Sequence, residues 1–233
     1  MTTSGTYSTV ANFTVAQVID EAFRRCKVDP TTLTNEHTLS ARISLDLMFI
    51  DWINDGVEQF IIDEQVTSLT GTSADISITT PTGTIDVLDM VYRDANGQDI
   101  QIAPISRQDY LYINDKTVSG QPITYFTDKT TMPPVVYLWP VQNITGTSVV
   151  YNRLRQIQDV GSPINTLDTT VTYKEAMCSG LAAKLAEKYS DPATEASLIA
   201  KAAGAFKRAK EQDRDRAPYV MKPRLGRRYF NGI

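Results

Sequence analysis

The sequence is poor in the residues that usually do chemistry. Among 233 residues there is one histidine, His37, and there are two cysteines, Cys26 and Cys178. The usual structural zinc site takes four cysteine and histidine ligands, more than the chain contains. The two cysteines lie far apart and beside no motif, so a disulfide framework is not expected; two reduced, buried thiols are. No segment approaches the roughly 18 consecutive apolar residues of a membrane helix, so no membrane partner is expected. The opening MTTSGTYSTVANF lacks a basic stretch ahead of an apolar run, which argues against a secretory leader and for synthesis in a cytoplasm. The phosphate cradles GxxxxGK[ST] and GxGxxG are both missing. Asp86, Asp89, Asp94 and Asp99 lack calcium-loop spacing. No cofactor or metal is expected.

What is present is an ordinary globular composition, 42% hydrophobic and 21% charged, with enough length for one sizeable core or a core with a smaller inserted unit. The net charge of -4 conceals a split. Residues 1–200 carry 13 Lys+Arg against 24 Asp+Glu, and residues 201–233 carry 10 against 3. Such a division points to a basic interaction tail on an acidic body.

The first helix is announced by a Thr14/Gln17 capping box and a Phe13/Val18 staple. Val15, Val18, Ile19, Ala22 and Phe23 follow at helical spacing, and Asp29-Pro30 closes the run. A second helix is read from about Glu36 to Asp63. Leu39, Ile43, Leu47, Ile50, Ile53, Val57 and Phe60 form its apolar stripe, suited to packing against other helices of this chain or of a neighbour. From Val66 the text turns rich in Thr, Ser and Gly. Asn96-Gly97 signals a hairpin between Ile85–Asp94 and Asp99–Ala103. Ser106 to Asn114 reads as a short helix, with Arg107, Tyr110, Leu111 and Asn114 on one face. Ile123–Thr127, Val135–Trp139 and Thr147–Leu154 are further strands, for about five to seven in all. Helices return with an expected capping box at Thr172/Glu175 and a row of Tyr173, Met177, Leu181, Leu185 and Tyr189. Asp191-Pro192 starts a last, alanine-rich helix to about Arg216.

Catalytic candidates are thin. A Cys26–His37 pair has no surrounding signature. Glu58, Asp63 and Glu64 could suggest two-carboxylate glycoside chemistry and hence a cell-wall hydrolase, but adjacent residues point in different directions. After Arg216 the text APYVMKPRLGRRYFNGI holds Lys222, Arg224, Arg227 and Arg228 with no acid, while Pro218, Pro223 and Gly226 oppose a helix. This tail has three readings: a solvated end, a nucleic-acid arm whose Tyr219, Tyr229 and Phe230 stack on bases, or an arm docking on a protein. Against nucleic acid stands the acidic body, which would repel a duplex.

Three stretches are similar to the head-to-tail adaptors of P22-like short-tailed bacteriophages, also called tail accessory factors or packaged-DNA stabilisation proteins. TVAQVIDEAFRRCKVDP resembles their opening helix. Asp51-Trp52-Ile53-Asn54-Asp55-Gly56 resembles a Trp-x-x-Asp-Gly pattern in the long second helix. AKEQDRDRAPYVMKPRLG resembles a final helix running into a basic Arg-Ala-Pro-Tyr arm. The segments ISRQDYLYINDK and PPVVYLWPVQN look like those of larger adaptors that carry an inserted β-domain. The resemblance implies an α+β fold: a helical bundle of two N-terminal and two C-terminal helices, an inserted β-rich domain and an extended C-terminal arm. The implied divisions are 1–65, 66–160, 161–216 and 217–233.

It further implies a structural virion protein at the head-tail junction, not an enzyme. As a homo-oligomeric ring, a dodecamer by the resemblance, it would join the portal protein to a tail tube or nozzle protein and help retain the packaged genome. DNA would pass through its channel without sequence-specific binding. Arg216, Pro218, Tyr219, Arg224, Arg227, Arg228, Tyr229 and Phe230 are the expected portal-binding residues.

Overall fold

The computed structural model of the protein describes residues 13–56 and 59–213. It is a mixed α+β structure with five α-helices and two four-stranded sheets among the described residues. Helix α1 (Val15–Arg25) begins with the expected reciprocal cap. The Thr14 hydroxyl accepts from the Gln17 N–H at 3.4 Å, and Gln17 Oε1 accepts from the Thr14 N–H at 3.0 Å. Two donors that the helix start would leave unpaired are thereby satisfied. Val15, Val18, Ile19, Ala22 and Phe23 are all buried.

Helix α2 (Asn35–Asp55) departs from expectation twice. It ends at Asp55, not Asp63, because Gly56 takes a φ of +153° and the chain becomes a strand at Ile62. Its buried face is also not the expected one. Ala41, Ser44, Leu45, Met48, Phe49 and Trp52 face the core. Leu39, Ile43, Leu47 and Ile50 lie on the opposite side, 45%, 60%, 53% and 52% exposed. The helix is apolar on two sides, and the side bearing Leu45, Met48, Phe49 and Trp52 beyond small Ala41 and Ser44 is the one that fits its neighbours.

Those neighbours are arranged around helix α4 (Lys174–Tyr189), which packs against α1, α2 and helix α5 (Pro192–Gln212). Met177, Leu181, Ala182, Leu185 and Ala186 on α4 are fully buried. The capping box expected at Thr172/Glu175 does not form. Residues Val171–Tyr173 make a 3-10 turn and α4 starts at Lys174, with no side-chain cap. Tyr173 is wholly buried, with ring centroids 5.6 Å from Trp52 and 4.8 Å from Phe60. Aromatic packing thus sets where the helix begins, and the Thr172 hydroxyl pairs with Thr170 at 2.7 Å. Helix α5 ends at Gln212; the reading that carried it to Arg216 lies outside the described residues.

The middle of the chain forms eight strands, more than the five to seven expected, because three are only two or three residues long and the first starts before Val66. They are β1 (Ile62–Ser68), β2 (Ser77–Thr79), β3 (Thr84–Arg93), β4 (Asp99–Gln101), β5 (Ala103–Pro104), β6 (Thr124–Asp128), β7 (Val135–Trp139) and β8 (Ser148–Arg155). One sheet has the order β1-β8-β3-β4 and the other β2-β7-β6-β5. The predicted hairpin joins β3 to β4, with Gly97 at φ +81° and the Asp94 carboxylate accepting from the Asn96 and Gln98 N–H groups at 2.8 Å each. Val87, Met90, Tyr92, Val149 and Tyr151 from the first sheet meet Ile78, Tyr125, Val136 and Leu138 from the second in a shared apolar cluster. This is face-to-face sheet packing with alternate residues turned inward. The short helix α3 (Arg107–Tyr112) has a Ser106/Asp109 capping box and lays Tyr110 on Phe126 at 5.3 Å; Leu111, expected on the same face, is exposed.

The register of α2 gives a direct test. Leu45→Ala should cost about 2–5 kcal/mol in chemical denaturation, whereas Leu47→Ala, two residues on, should stay within about 0.5 kcal/mol of the wild type. Equal losses would mean that the helix presents a different face to its core.

Candidate interaction surfaces

The two apolar clusters are bridged by one strand. On β8, Val149 and Tyr151 belong to the cluster between the sheets, while Leu154, and Ile157 and Val160 just beyond, belong to the helical one. Two arginines on β8 lock the crossing. Arg153 faces Asp63 directly across the β1–β8 ladder and donates to both its carboxylate oxygens, at 2.9 and 3.0 Å. It also donates to Thr84 Oγ1 at 3.0 Å. Arg155 makes the same two-pronged contact with Asp168, which in addition accepts from the Gln158 N–H at 3.1 Å. The segment after β8 is then held by α2: Asp46 accepts from the Val160 N–H at 3.0 Å, and Arg42 donates to the Gly161 carbonyl. Further on it reaches α1, where the Val15 and Ala16 N–H groups donate to Asn165 and Pro163. A cleft of about 730 Å³ lies along this joint, lined by Ile50, Ile53, Ile85, Met132, Arg155 and Asp159 among others.

A second, shallower cleft of about 570 Å³ separates α1 from the start of α4. Arg25 spans it, donating to both oxygens of Glu175 at 2.7 and 2.9 Å. That contact raises the Arg25 pKa and holds the Glu175 carboxyl below the usual range. Beside it Lys174 is only 5% exposed, and its Nζ has no hydrogen-bond partner among the described residues. Burial pushes its pKa down.

None of the catalytic candidates is assembled. Asp63 is committed to Arg153, and Glu64, next along β1, pairs across the ladder with Asn152 on the other face. Glu58 lies outside the described residues. His37 caps α2, its Nδ1 accepting from the Thr34 N–H at 3.1 Å, and its ring packs 5.1 Å from that of Tyr189. Cys26 is buried and donates to the Ala182 carbonyl at 3.2 Å. Burial raises the Cys26 pKa, and that of Cys178 to about 11. Thiols so disposed are poor nucleophiles. Among the described residues no group of three or more His, Cys, Asp or Glu side chains could hold a metal ion, and no helix is long and apolar enough to cross a membrane. The expected portal-binding residues Arg216, Pro218, Tyr219, Arg224, Arg227, Arg228, Tyr229 and Phe230 all lie outside the described residues.

The exposed apolar row on α2 is legible in the sequence as a face for other helices of this chain or of a neighbour, with the choice between them open. The joint was not foreseen; the only signal for it was Arg153 and Arg155 at the end of a strand, an unusual place for two cations to be half-buried.

Two titrations report on these places. Above the ordinary aspartate range of about 3.9, Asp168 is charged in folded and unfolded chains alike and its contacts stabilise the fold. Burial alone would raise its pKa, but the Arg155 guanidinium and the Gln158 N–H outweigh that and lower it. The stabilisation is therefore lost as pH falls below that range. Asp168→Asn should cost about 1–3 kcal/mol at pH 7, and its deficit against wild type should close in acid. Lys174 has the opposite sign. Its folded pKa is lowered, so the charged lysine disfavours folding at neutral pH, and the penalty disappears only as pH climbs towards about 10.4. Lys174→Met should raise stability by about 1–3 kcal/mol at pH 7, with the gain shrinking at high pH.

The chain matches the SU10 adaptor protein family over residues 13–224. No match was found among curated proteins. Among solved structures, a chain from the virion of a native gene transfer agent (GTA) particle matches at 14% identity with a TM-score of 0.28, covering 83% of this chain and 90% of that one. With the family match running through nearly the whole chain, this protein belongs to the SU10 adaptor protein family and is a structural phage adaptor, not an enzyme.

Proposed function

We propose that the protein assembles as a ring at the head-tail junction of the virion, between the portal and a tail tube or nozzle protein, where it extends the DNA channel and helps retain the packaged genome. The observation that carries this reading is the family match, which extends to residue 224 and so includes part of the basic C-terminal segment. A dodecamer is the stoichiometry implied by the likeness to P22-like adaptors. The segments 1–65 and 161–216 form the helical adaptor core in this reading, with 66–160 an inserted β-domain whose first strand begins just ahead of it at Ile62. The pairing of β1 with β8 favours an insertion, since the chain then enters and leaves the sheets on adjacent strands.

The division of charge assigns the parts their tasks. An acidic body around a passage repels DNA phosphates and lets the duplex move without sequence-specific binding. The segment 217–233, with Arg216 just ahead of it, acts as the portal-docking arm, through Arg216, Pro218, Tyr219, Arg224, Arg227, Arg228, Tyr229 and Phe230. Arginine supplies paired donors for carboxylates, and tyrosine and phenylalanine supply apolar anchors, the types that dominate binding energy at protein interfaces.

Mass measurement of the chain mixed with its cognate portal protein tests the reading. The full chain should join the portal in a ring of defined mass. A chain ending at Arg216 should keep its thermal transition and lose portal association. Undiminished portal binding by that truncated chain would remove the docking role from the arm. A steep fall of DNA affinity with salt, abolished by the same truncation, would favour a nucleic-acid arm instead.

A further inference from the structure

The row Leu39, Ile43, Leu47 and Ile50 runs along α2 at spacings of four, four and three, diametrically opposite the buried face of Leu45, Met48 and Trp52. Four large aliphatic side chains, each about half exposed in one continuous line, are more than scattered surface apolar residues. The same molecule carries a second apolar face of complementary shape. On α5 the side away from Leu198, Ala205 and Ala209 holds Ala193, Ala196, Ala200 and Ala203, all exposed, at spacings of three, four and three. Bulky side chains on one helix fit best against small ones on another, where the backbones approach closely.

Charge points the same way. Helix α2 carries Glu36, Asp46, Asp51 and Asp55 against a single cation, Arg42; Asp51 and Asp55 already pair with Lys184 and Lys210 of the same chain, which leaves Glu36 and Asp46 as the acids beside the aliphatic row. Helix α5 carries Lys201, Lys207 and Arg208, besides the Lys210 already held by Asp55 of its own chain, against Glu195 and Glu211. Both helices have 21 residues, so each is about 31 Å long and they can run side by side throughout. Two α2 faces brought together would oppose like charges; α2 on α5 opposes unlike ones.

We infer that the aliphatic row of α2 docks on the alanine face of α5 of a second copy of this chain. Because the two faces differ, the contact is head-to-tail and each copy can make it twice, the pattern that closes into rings. The inference rests on the ring reading above and names the surfaces that build it. A seam of about 31 Å by 10 Å covers on the order of 300 Å² per copy, well below the roughly 800 Å² per partner of a stable interface. Free chains therefore associate weakly, and the ring completes when the portal holds neighbouring copies together.

Three variants test it. Ile43→Lys/Leu47→Lys places cations where α5 is basic, and Ala200→Glu/Ala203→Glu places carboxylates where α2 is acidic; all four positions are exposed, so folding should be unaffected. Each variant alone should fail to form rings with portal while keeping the wild-type thermal transition and binding portal as single copies. The third, Leu47→Cys/Ala200→Cys, should on oxidation without portal give a ladder of covalent oligomers on a denaturing gel, whereas either single cysteine variant should stay monomeric. Rings of wild-type mass from the lysine variant would overturn the inference and hand the row to another occupant, such as a terminal segment or a tail protein. Covalent dimers from Leu47→Cys alone would overturn it in favour of two α2 helices face to face. Loss of portal binding by the wild type would sink the adaptor reading, and the portal-free gel would still decide the seam.

Discussion

The structure depends on β8 belonging to two apolar clusters at once. Within eight residues its side chains pass from the space between the sheets, at Val149 and Tyr151, to the helical cluster, at Leu154. A strand cannot rotate between those points without pulling Arg153 from Asp63 and Arg155 from Asp168, two contacts in which a planar guanidinium meets a carboxylate along both prongs. Such contacts fix orientation as well as distance. Half-buried ion pairs add little net stability when the cost of desolvating them is counted. Their effect here is geometric: the sheets are held at a set angle to the helices by groups that tolerate little change in angle.

Local signals in the sequence translated into structure, and long-range ones did not. The Thr14/Gln17 cap and the Asn96-Gly97 turn appear where they were read, because each depends on residues within four positions. The Thr172/Glu175 box has the same local pattern and does not form. Tyr173, between those two residues, is buried against Trp52 and Phe60 from distant segments, and that packing outweighs one hydrogen bond at a helix end. The sheet order was illegible for a related reason. Pairing Ile62–Ser68 with Ser148–Leu154 joins the first strand of the sheet region to the last, and alternation within a strand says nothing about its partner.

The α2 stripe shows a different limit. Periodicity identifies an apolar face but does not say what covers it. Leu39, Ile43, Leu47 and Ile50 gave as regular a row as any in the chain, yet the core took the face with Ala41, Leu45, Met48 and Trp52. In a monomer that destiny for four aliphatic side chains costs solubility and brings no stability. In a subunit of an assembly it is the expected arrangement, since one helix must then serve an inner and an outer partner.

The places where this fold departs from local consistency are therefore informative. An unpaired lysine buried at the start of α4, an aliphatic row turned outward and a tail of opposite charge to its body are each unfavourable for an isolated chain. Sequences that fold cleanly satisfy local preference, packing and polar pairing together, and violations concentrate where function imposes them. In the proposed ring the row and the tail have a common explanation: surfaces that are incomplete in one copy become complete between copies or against a neighbour in the particle. Lys174 does not share it, because it lies on the α1 side of α4, away from the exposed face of α5, and its cost is borne by the subunit itself. A ring that completes only on the portal, as proposed, is served by contacts too weak to form alone, and a seam of one helix against another has that property.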